Sequence, residues 1–442
     1  MFLTQLAAIA LHRAGRTDPR LDEDAWRRLL LALTEGRHEP WCVVVEDLGQ
    51  PAFFQPPVPE ASLNGWRTQA SPDDIDVLVT AKAHDVKASL ISGDDIEAWV
   101  YALVTLQTTQ GYPGRGYTGV ARMKGGYGNR PRVGLAPDQS LAARFLRDVT
   151  VLHDVWPTLT ARGFADDGIG LVWTLPWDGK ASLALNELAP HFIEVCWRVR
   201  CASDSGRLLC RYTTTETRRC VPEVDTGDVG DPWAPVERDG GMLTIGSRGF
   251  HYDLLRRLLF ENDFEPAATQ SLRAGDPDPT LLVATALARG QGKTEGLHER
   301  VLELTGGARR RLGRPDTRAM VGRRAEERVA ATEKMHTKVL YPALRQLGAV
   351  AGDGFDSRVD ELFFQLLFAT LDETDDDARL TWDRQLRDLA EDELQLAISR
   401  CALPSARRYK VVSAAEGMFA GCLKKNFPDI HALRPETEGA SA

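Results

Sequence analysis

The densest group of residues able to meet a charged ligand runs from Gly111 to Arg132, with the order Gly-Tyr-Pro-Gly-Arg-Gly-Tyr-Thr-Gly-Val-Ala-Arg-Met-Lys-Gly-Gly-Tyr-Gly-Asn-Arg-Pro-Arg. Its 22 residues hold seven Gly, three Tyr, five Arg or Lys and no acid. Glycine lets the backbone approach a ligand closely and expose N–H groups to phosphate oxygens. Arginine and lysine neutralise phosphates, and tyrosine adds a flat amphipathic face. The mixture suits a nucleic-acid backbone, with Gly111, Tyr112, Gly114, Arg115, Gly116, Tyr117, Arg122 and Lys124 as candidate contacts. The competing reading is an irregular surface loop whose basic residues are simply solvated.

Two further segments carry similar chemistry. Lys82-Ala83-His84-Asp85-Val86-Lys87 could place Lys82, His84 and Lys87 against phosphates, or be a solvated turn. In Arg289-Gly290-Gln291-Gly292-Lys293-Thr294, the last three residues imitate the end of a nucleotide-binding P-loop. The full motif needs a glycine five residues before Gly292, where Leu287 stands. What remains is a tight turn presenting Gln291 and Lys293, and a glutamine amide can both donate to and accept from base edges.

Other constellations are weaker. Cys196, Cys201, Cys210 and Cys220 lie among apolar strand-like residues without a C-x2-C knuckle, which favours buried thiols over a zinc site. The nine histidines are scattered, and no Ser/His/Asp or Cys/His triad assembles. The acid run Asp372-Glu373 and Asp375-Asp376-Asp377 reads as a helix connector rather than a metal site. Arg309 to Arg328 holds eight Arg against three acids, a solvated linker or a partner contact. The residues describe a binder more readily than a catalyst.

These segments must be held by a sizeable body. The chain has 442 residues, 43% hydrophobic and 26% charged, enough for several packing units. Its formal net charge of −9 excludes a uniformly basic nucleic-acid coat but not local basic patches. Seven cysteines, no long apolar run and no basic leader predict a cytoplasmic protein with reduced thiols and no membrane span. Asp22-Glu23-Asp24 should open one helix, and Ile96–Gln107 should form a buried one. Asp76–Thr80 reads as a strand, and Val149-Thr150-Val151-Leu152 favours strand over helix. Gly170–Trp173 and Phe192–Val195 are further short β runs, and Asp225–Pro235 must be loop. Four amphipathic segments follow: Ala325–Gln346, Arg358–Leu371, Asp377–Ser399 and Ser405–Asn426. The expected fold is α+β, with a large mixed α/β body over residues 1–317 and an all-α four-helix bundle over 318–442.

The same landmarks carry a resemblance. Phe53-Phe54-Gln55, Lys82–Lys87, Ala102-Leu103-Val104 leading into Gly111–Gly128, His191-Phe192-Ile193-Glu194-Val195-Cys196, Gly230-Asp231-Pro232-Trp233 and Arg289-Gly290-Gln291 occur in that order. Over residues 40–430 the chain resembles the CasA family, the large subunit of type I-E CRISPR Cascade surveillance complexes. It departs from the family at its start, where a short strand with a Trp-Ile-Pro-like signature is expected and not found. The start therefore reads as trimmed or diverged, which puts docking at that edge in question.

The resemblance implies a non-catalytic subunit without cofactors, which reads the protospacer-adjacent motif (PAM) of double-stranded target DNA. A glycine-rich loop, here Gly111–Gly116, would enter the minor groove, and Gln291 would wedge open the duplex. A basic finger would touch the same groove, with Arg218 or Arg219 in place of its usual lysine, and the His84 loop would touch the complex near the crRNA handle. Partners would be crRNA, the other Cascade subunits, and a helicase–nuclease or a nuclease fused to a subunit. Two other readings stay open: a degenerate nucleotide-binding enzyme using Lys293, and a purely structural scaffold.

Overall fold

The computed structural model describes residues 1–76, 95–112, 114, 116–123, 128–221, 227–238, 241–290, 293–349 and 354–431. The chain divides into two compact units, Met1–Phe250 with Asp263–Glu303, and His251–Asn262 with Leu304–Ala442. Elements are numbered in chain order.

In the first unit, α1 (Phe2–Arg13) is buried along Thr4–Leu11, and α2 (Glu23–Ala32) begins where Asp22 accepts a hydrogen bond from the Ala25 N–H at 2.7 Å. Helix α3 (Ile96–Thr109) is capped by Asp95, which accepts from the Glu97 N–H at 3.0 Å. It buries Trp99, Ala102, Leu103 and Leu106, the i, i+3, i+4, i+7 stripe of an inward helix face. Helix α4 (Leu141–Ala161) runs straight through Val149-Thr150-Val151-Leu152. The expected strand is overruled because Val149, Leu152, Trp156 and Leu159 share a helical face that is buried. Burial of that stripe outweighs the tenths of a kcal/mol per residue by which β-branching disfavours helix.

Short sheets complete this unit. An antiparallel sheet has β6 (Arg207–Thr213) between β1 (Arg67–Gln69) and β5 (Arg198–Asp204). Ser205 and Gly206 join β5 to β6, both at positive φ (52° and 83°), which a two-residue hairpin turn requires. A second sheet has the order β10 (Lys293–Leu304), β9 (Thr280–Gly290), β2 (Arg132–Ala136). Strand β3 (Ile169–Leu171) pairs in parallel with β4 (Leu188–Ile193), and β7 (Val236–Glu237) pairs with β8 (Phe264–Glu265). The core contains Phe54, Trp99, Trp173, Trp177 and Phe192. The strand expected at Asp76–Thr80 lies outside the described residues apart from Asp76.

The second unit is helical: α5 (Tyr252–Phe260), α6 (Gly306–Leu312), α7 (Pro315–Met335), a π-helical turn (His336–Leu340), α8 (Tyr341–Gln346), α9 (Gly354–Ala369), α10 (Asp375–Ser399), α11 (Ser405–Asn426) and α12 (Pro428–His431). The four long amphipathic segments are helices as their periodicity predicts. The packing unit starts earlier than residue 318 and takes in α5 from upstream. Its Tyr252 ring stacks on Phe363 at 4.7 Å, and the Tyr252 N–H donates to Asp360 at 2.6 Å. A short upstream helix leaves little texture change in sequence, although its apolar side closes this core. Among the described residues, no helix is long and apolar enough to cross a membrane.

Candidate nucleic-acid interface

The glycine-rich segment connects α3 to β2, and its neck is tied by backbone bonds. The Val120 N–H donates to Gln110 O at 2.8 Å, and the Arg130 N–H to Thr109 O at 2.9 Å. Gly119 is needed here, because a Cβ would fall 2.4 Å from the carbonyl carbon of Gly111. Farther out, Tyr117 N–H donates to Gly114 O at 3.1 Å, and Thr215 N–H to Gly116 O at 2.9 Å. Gly116 sits at φ +85°, a conformation L side chains rarely adopt.

Buried charge fastens this loop to the body. Arg218 donates from Nη1 to the carbonyls of Gly119 (3.0 Å) and Val120 (2.8 Å), and more weakly to Met123 (3.4 Å). Glu194, at the end of β4, accepts from the Ala121 N–H at 2.6 Å and from Arg122 Nη1 at 2.8 Å. Arg122 also donates to Phe192 O at 2.9 Å and lies 4.0 Å over the Phe192 ring. Asp231 takes a two-pronged contact from Arg130 and a 3.0 Å hydrogen bond from the Trp233 N–H. Burial pushes the Asp231 carboxyl up, but the charge and hydrogen bonds of Arg130, with Arg122 beyond, hold it below the usual carboxylate range. Nearby His191 is buried, donates from Nε2 to Leu152 O at 2.7 Å in the tautomer that bond requires, and is pushed down to about 3 by burial.

This geometry changes the expected contact set. Arg122, Arg218 and Arg219 are each no more than 5% exposed. Arg219 donates to Pro176 O at 3.1 Å and lies over Trp177. All three arginines are spent on internal carbonyls, a carboxylate or rings, so they brace the protein instead of facing a groove. Tyr117 likewise stacks on Trp197 at 4.4 Å, an inward role. Tyr112 is exposed, Gly111 is buried at the neck, and Gly114 and Gly116 are half-buried. Arg115, Lys124, Gln291, Lys82, His84 and Lys87 lie outside the described residues.

Lys293 and Thr294 belong to strand β10, which pairs with β9. A P-loop instead delivers its Lys and Thr to the N-terminus of a helix, so the nucleotide-enzyme reading loses its geometric basis. Cys196, Cys201, Cys210 and Cys220 are buried free thiols. Burial raises the thiol pKa of Cys196 and Cys220, while a Cys201 hydrogen bond and burial raise that of Cys210. Among the described residues, no three His, Cys, Asp or Glu gather as a metal ion requires.

Two buried side chains have roles that the sequence did not indicate, although Gln55 lies in the Phe53-Phe54-Gln55 landmark. Gln107 on α3 donates to Phe54 O (3.1 Å) and Trp197 O (2.9 Å), and accepts from the Cys196 and Trp197 N–H groups. Gln55 donates to Val43 O and accepts from the Cys201 N–H. Gln107 ties the entrance of β5, and Gln55 the middle of that strand, to distant segments. Gln55 carried a signal, a polar amide between Phe53-Phe54 and Pro56-Pro57, whereas Gln107 runs into the polar Thr108-Thr109-Gln110 and carried none.

No protein-family model matches the sequence, and no curated protein matches it. Solved structures do match over nearly the whole chain. Thermus thermophilus CasA (Cse1) superposes with a TM-score of 0.57 at 16% identity, over 95% of this chain and 90% of that one. Cse1 from Acidimicrobium ferrooxidans gives 0.57 at 13% identity, over 96% and 89%. A chain of a CRISPR RNA-guided surveillance complex gives 0.50 at 15% identity, over 94% and 89%. With so little sequence in common, what the superpositions establish is architecture: the fold of this chain is that of the CasA (Cse1) proteins.

Proposed function

We propose that this chain is the large subunit of a crRNA-guided type I-E Cascade complex, that it reads the PAM beside a double-stranded DNA target, and that it starts strand separation. The observation that carries this reading is a CasA-fold body whose loop from Gly111 is fastened at Gly119 and Val120 by Arg218 and at Ala121 by Glu194 while Tyr112 stays exposed. A loop held rigidly at its base can present backbone and a flat ring to a groove without losing much entropy on binding. Minor-groove reading is degenerate, so a small set of related flanking sequences should be accepted. Gln291 acts as the wedge at the β9–β10 connection, and Arg115 and Lys124 supply phosphate contacts. Unstacking a base step costs a few kcal/mol, after which RNA–DNA pairing replaces DNA–DNA pairing at nearly balanced energy. The subunit therefore needs no ATP and no catalytic residue, and cleavage falls to a separate or subunit-fused nuclease in the cytoplasm.

The test is R-loop formation by the crRNA complex, with and without this protein, on duplexes randomised beside the target. Enrichment of a narrow set of flanks that depends on the protein is expected. R-loops that form equally on all flanks, or without the protein, overturn the reading and leave a scaffold.

A further inference from the structure

The helical unit contains a cavity of about 400 Å³ walled by α7, α10 and the corner between α11 and α12. Two of its wall residues are buried charges with an unused hydrogen-bonding atom. Arg328, 4% exposed, donates from Nη2 to Thr370 Oγ1 at 2.7 Å and lies 5.0 Å over the Trp382 ring. Its Nη1 has no partner among the described residues. Asp383, 5% exposed, accepts from Arg379 Nη1 at 3.4 Å through Oδ2, while its Oδ1 has no partner among the described residues. Leaving a buried charged group partly unsatisfied is costly, and native structures rarely do so without a reason.

We propose that this cavity binds a zwitterionic ligand of the α-amino-acid class, its carboxylate on Arg328 Nη1 and its ammonium on Asp383 Oδ1. Charge selects this class. The lining is balanced, with Arg324, Arg328, Lys334 and Arg379 against Glu327, Asp375, Asp383 and Asp429, so it favours a ligand with both signs and little net charge. A simple anion would leave Asp383 unanswered, and an apolar ligand would leave both atoms so. Ala331, Ala378 and Ile430 give an apolar wall for a side chain. Burial depresses Arg328 to about 10 and raises Asp383, the response of charges that lack full compensation. The volume falls in the range of small-molecule sites. This site does not depend on the DNA-reading function.

The probes are the common amino acids, their N-acetyl and carboxamide derivatives, acetate and adenosine monophosphate, added to the full chain and followed by calorimetry and saturation-transfer NMR. Saturable binding of at least one amino acid is expected. Blocking either its ammonium or its carboxylate should weaken it by about tenfold or more. Asp383→Asn and Arg328→Lys should weaken it comparably while the unliganded unfolding midpoint shows that they fold. Ala331→Leu, at a half-buried position on the wall, should obstruct the site if either charge variant fails to fold. No amino-acid binding at millimolar concentration, equal binding of acetate or the nucleotide, or unchanged binding in folded variants overturns the proposal.

Discussion

Arginine identity says little about arginine function until its partners are known. Arg218 and Tyr112 make the contrast testable. Arg218→Met removes the donor from three buried carbonyls and should cost about 3 kcal/mol, read from the denaturant midpoint, with PAM-dependent duplex binding lost as the loop loosens. Tyr112→Ala should leave stability within about 0.5 kcal/mol of wild type, because its ring is exposed. It should still weaken duplex affinity by about tenfold, the scale of a lost aromatic contact to nucleic acid. If the two variants lose affinity in proportion to stability, the loop has no direct contact role.

At the scale of elements, His191 links β4 to α4 through Leu152 O. Its folded pKa of about 3 lies below the ordinary 6.5, so between these values the unfolded chain takes up a proton that the folded one refuses. Stability from this group is therefore lost as pH falls from about 6.5 toward 3, at up to about 1.4 kcal/mol per pH unit. Asp231 adds to the loss at the acid end, because its lowered pKa stabilises the fold above the unfolded carboxylate range and that contribution disappears as it protonates. Urea midpoints measured from pH 7 to 4 should fall, and His191→Gln should flatten the slope while keeping a donor for Leu152. An unchanged slope in that variant would assign the acid sensitivity elsewhere. The same contact fixes the helix whose β-branched run suggested a strand.

For the whole molecule, the proposed function divides groove reading and duplex opening between different segments, the α3–β2 loop and the β9–β10 connection. Gln291→Ala should therefore keep flank-dependent duplex binding and slow R-loop formation, measured as separate equilibrium and rate experiments on one duplex. Equal R-loop rates in wild type and variant would remove the wedge assignment. The chain's net charge of −9 makes local placement of its cations decisive, since no overall field draws it to DNA.

Sequence alone determined what neighbouring residues decide among themselves. Asp22-Glu23-Asp24 opens a helix, Trp99 to Leu106 mark a buried face, and the four late amphipathic segments are helices. Glu194 and Asp231 were visible too, inside the His191–Cys196 and Gly230–Trp233 runs, but without their role. That role lies in partners far along the chain: Glu194 meets Ala121 and Arg122, Asp231 meets Arg130, and Arg218 meets Gly119. Local spacing records a helix or strand period, but it does not record which distant carbonyl a guanidinium reaches. Only the tertiary structure turned Arg122, Arg218 and Arg219 from candidate DNA contacts into braces, joined α5 to the helical unit, and set Arg328 and Asp383 around one cavity. A buried charge must find its counterpart wherever the fold brings one, and that pairing exists only once the chain has packed.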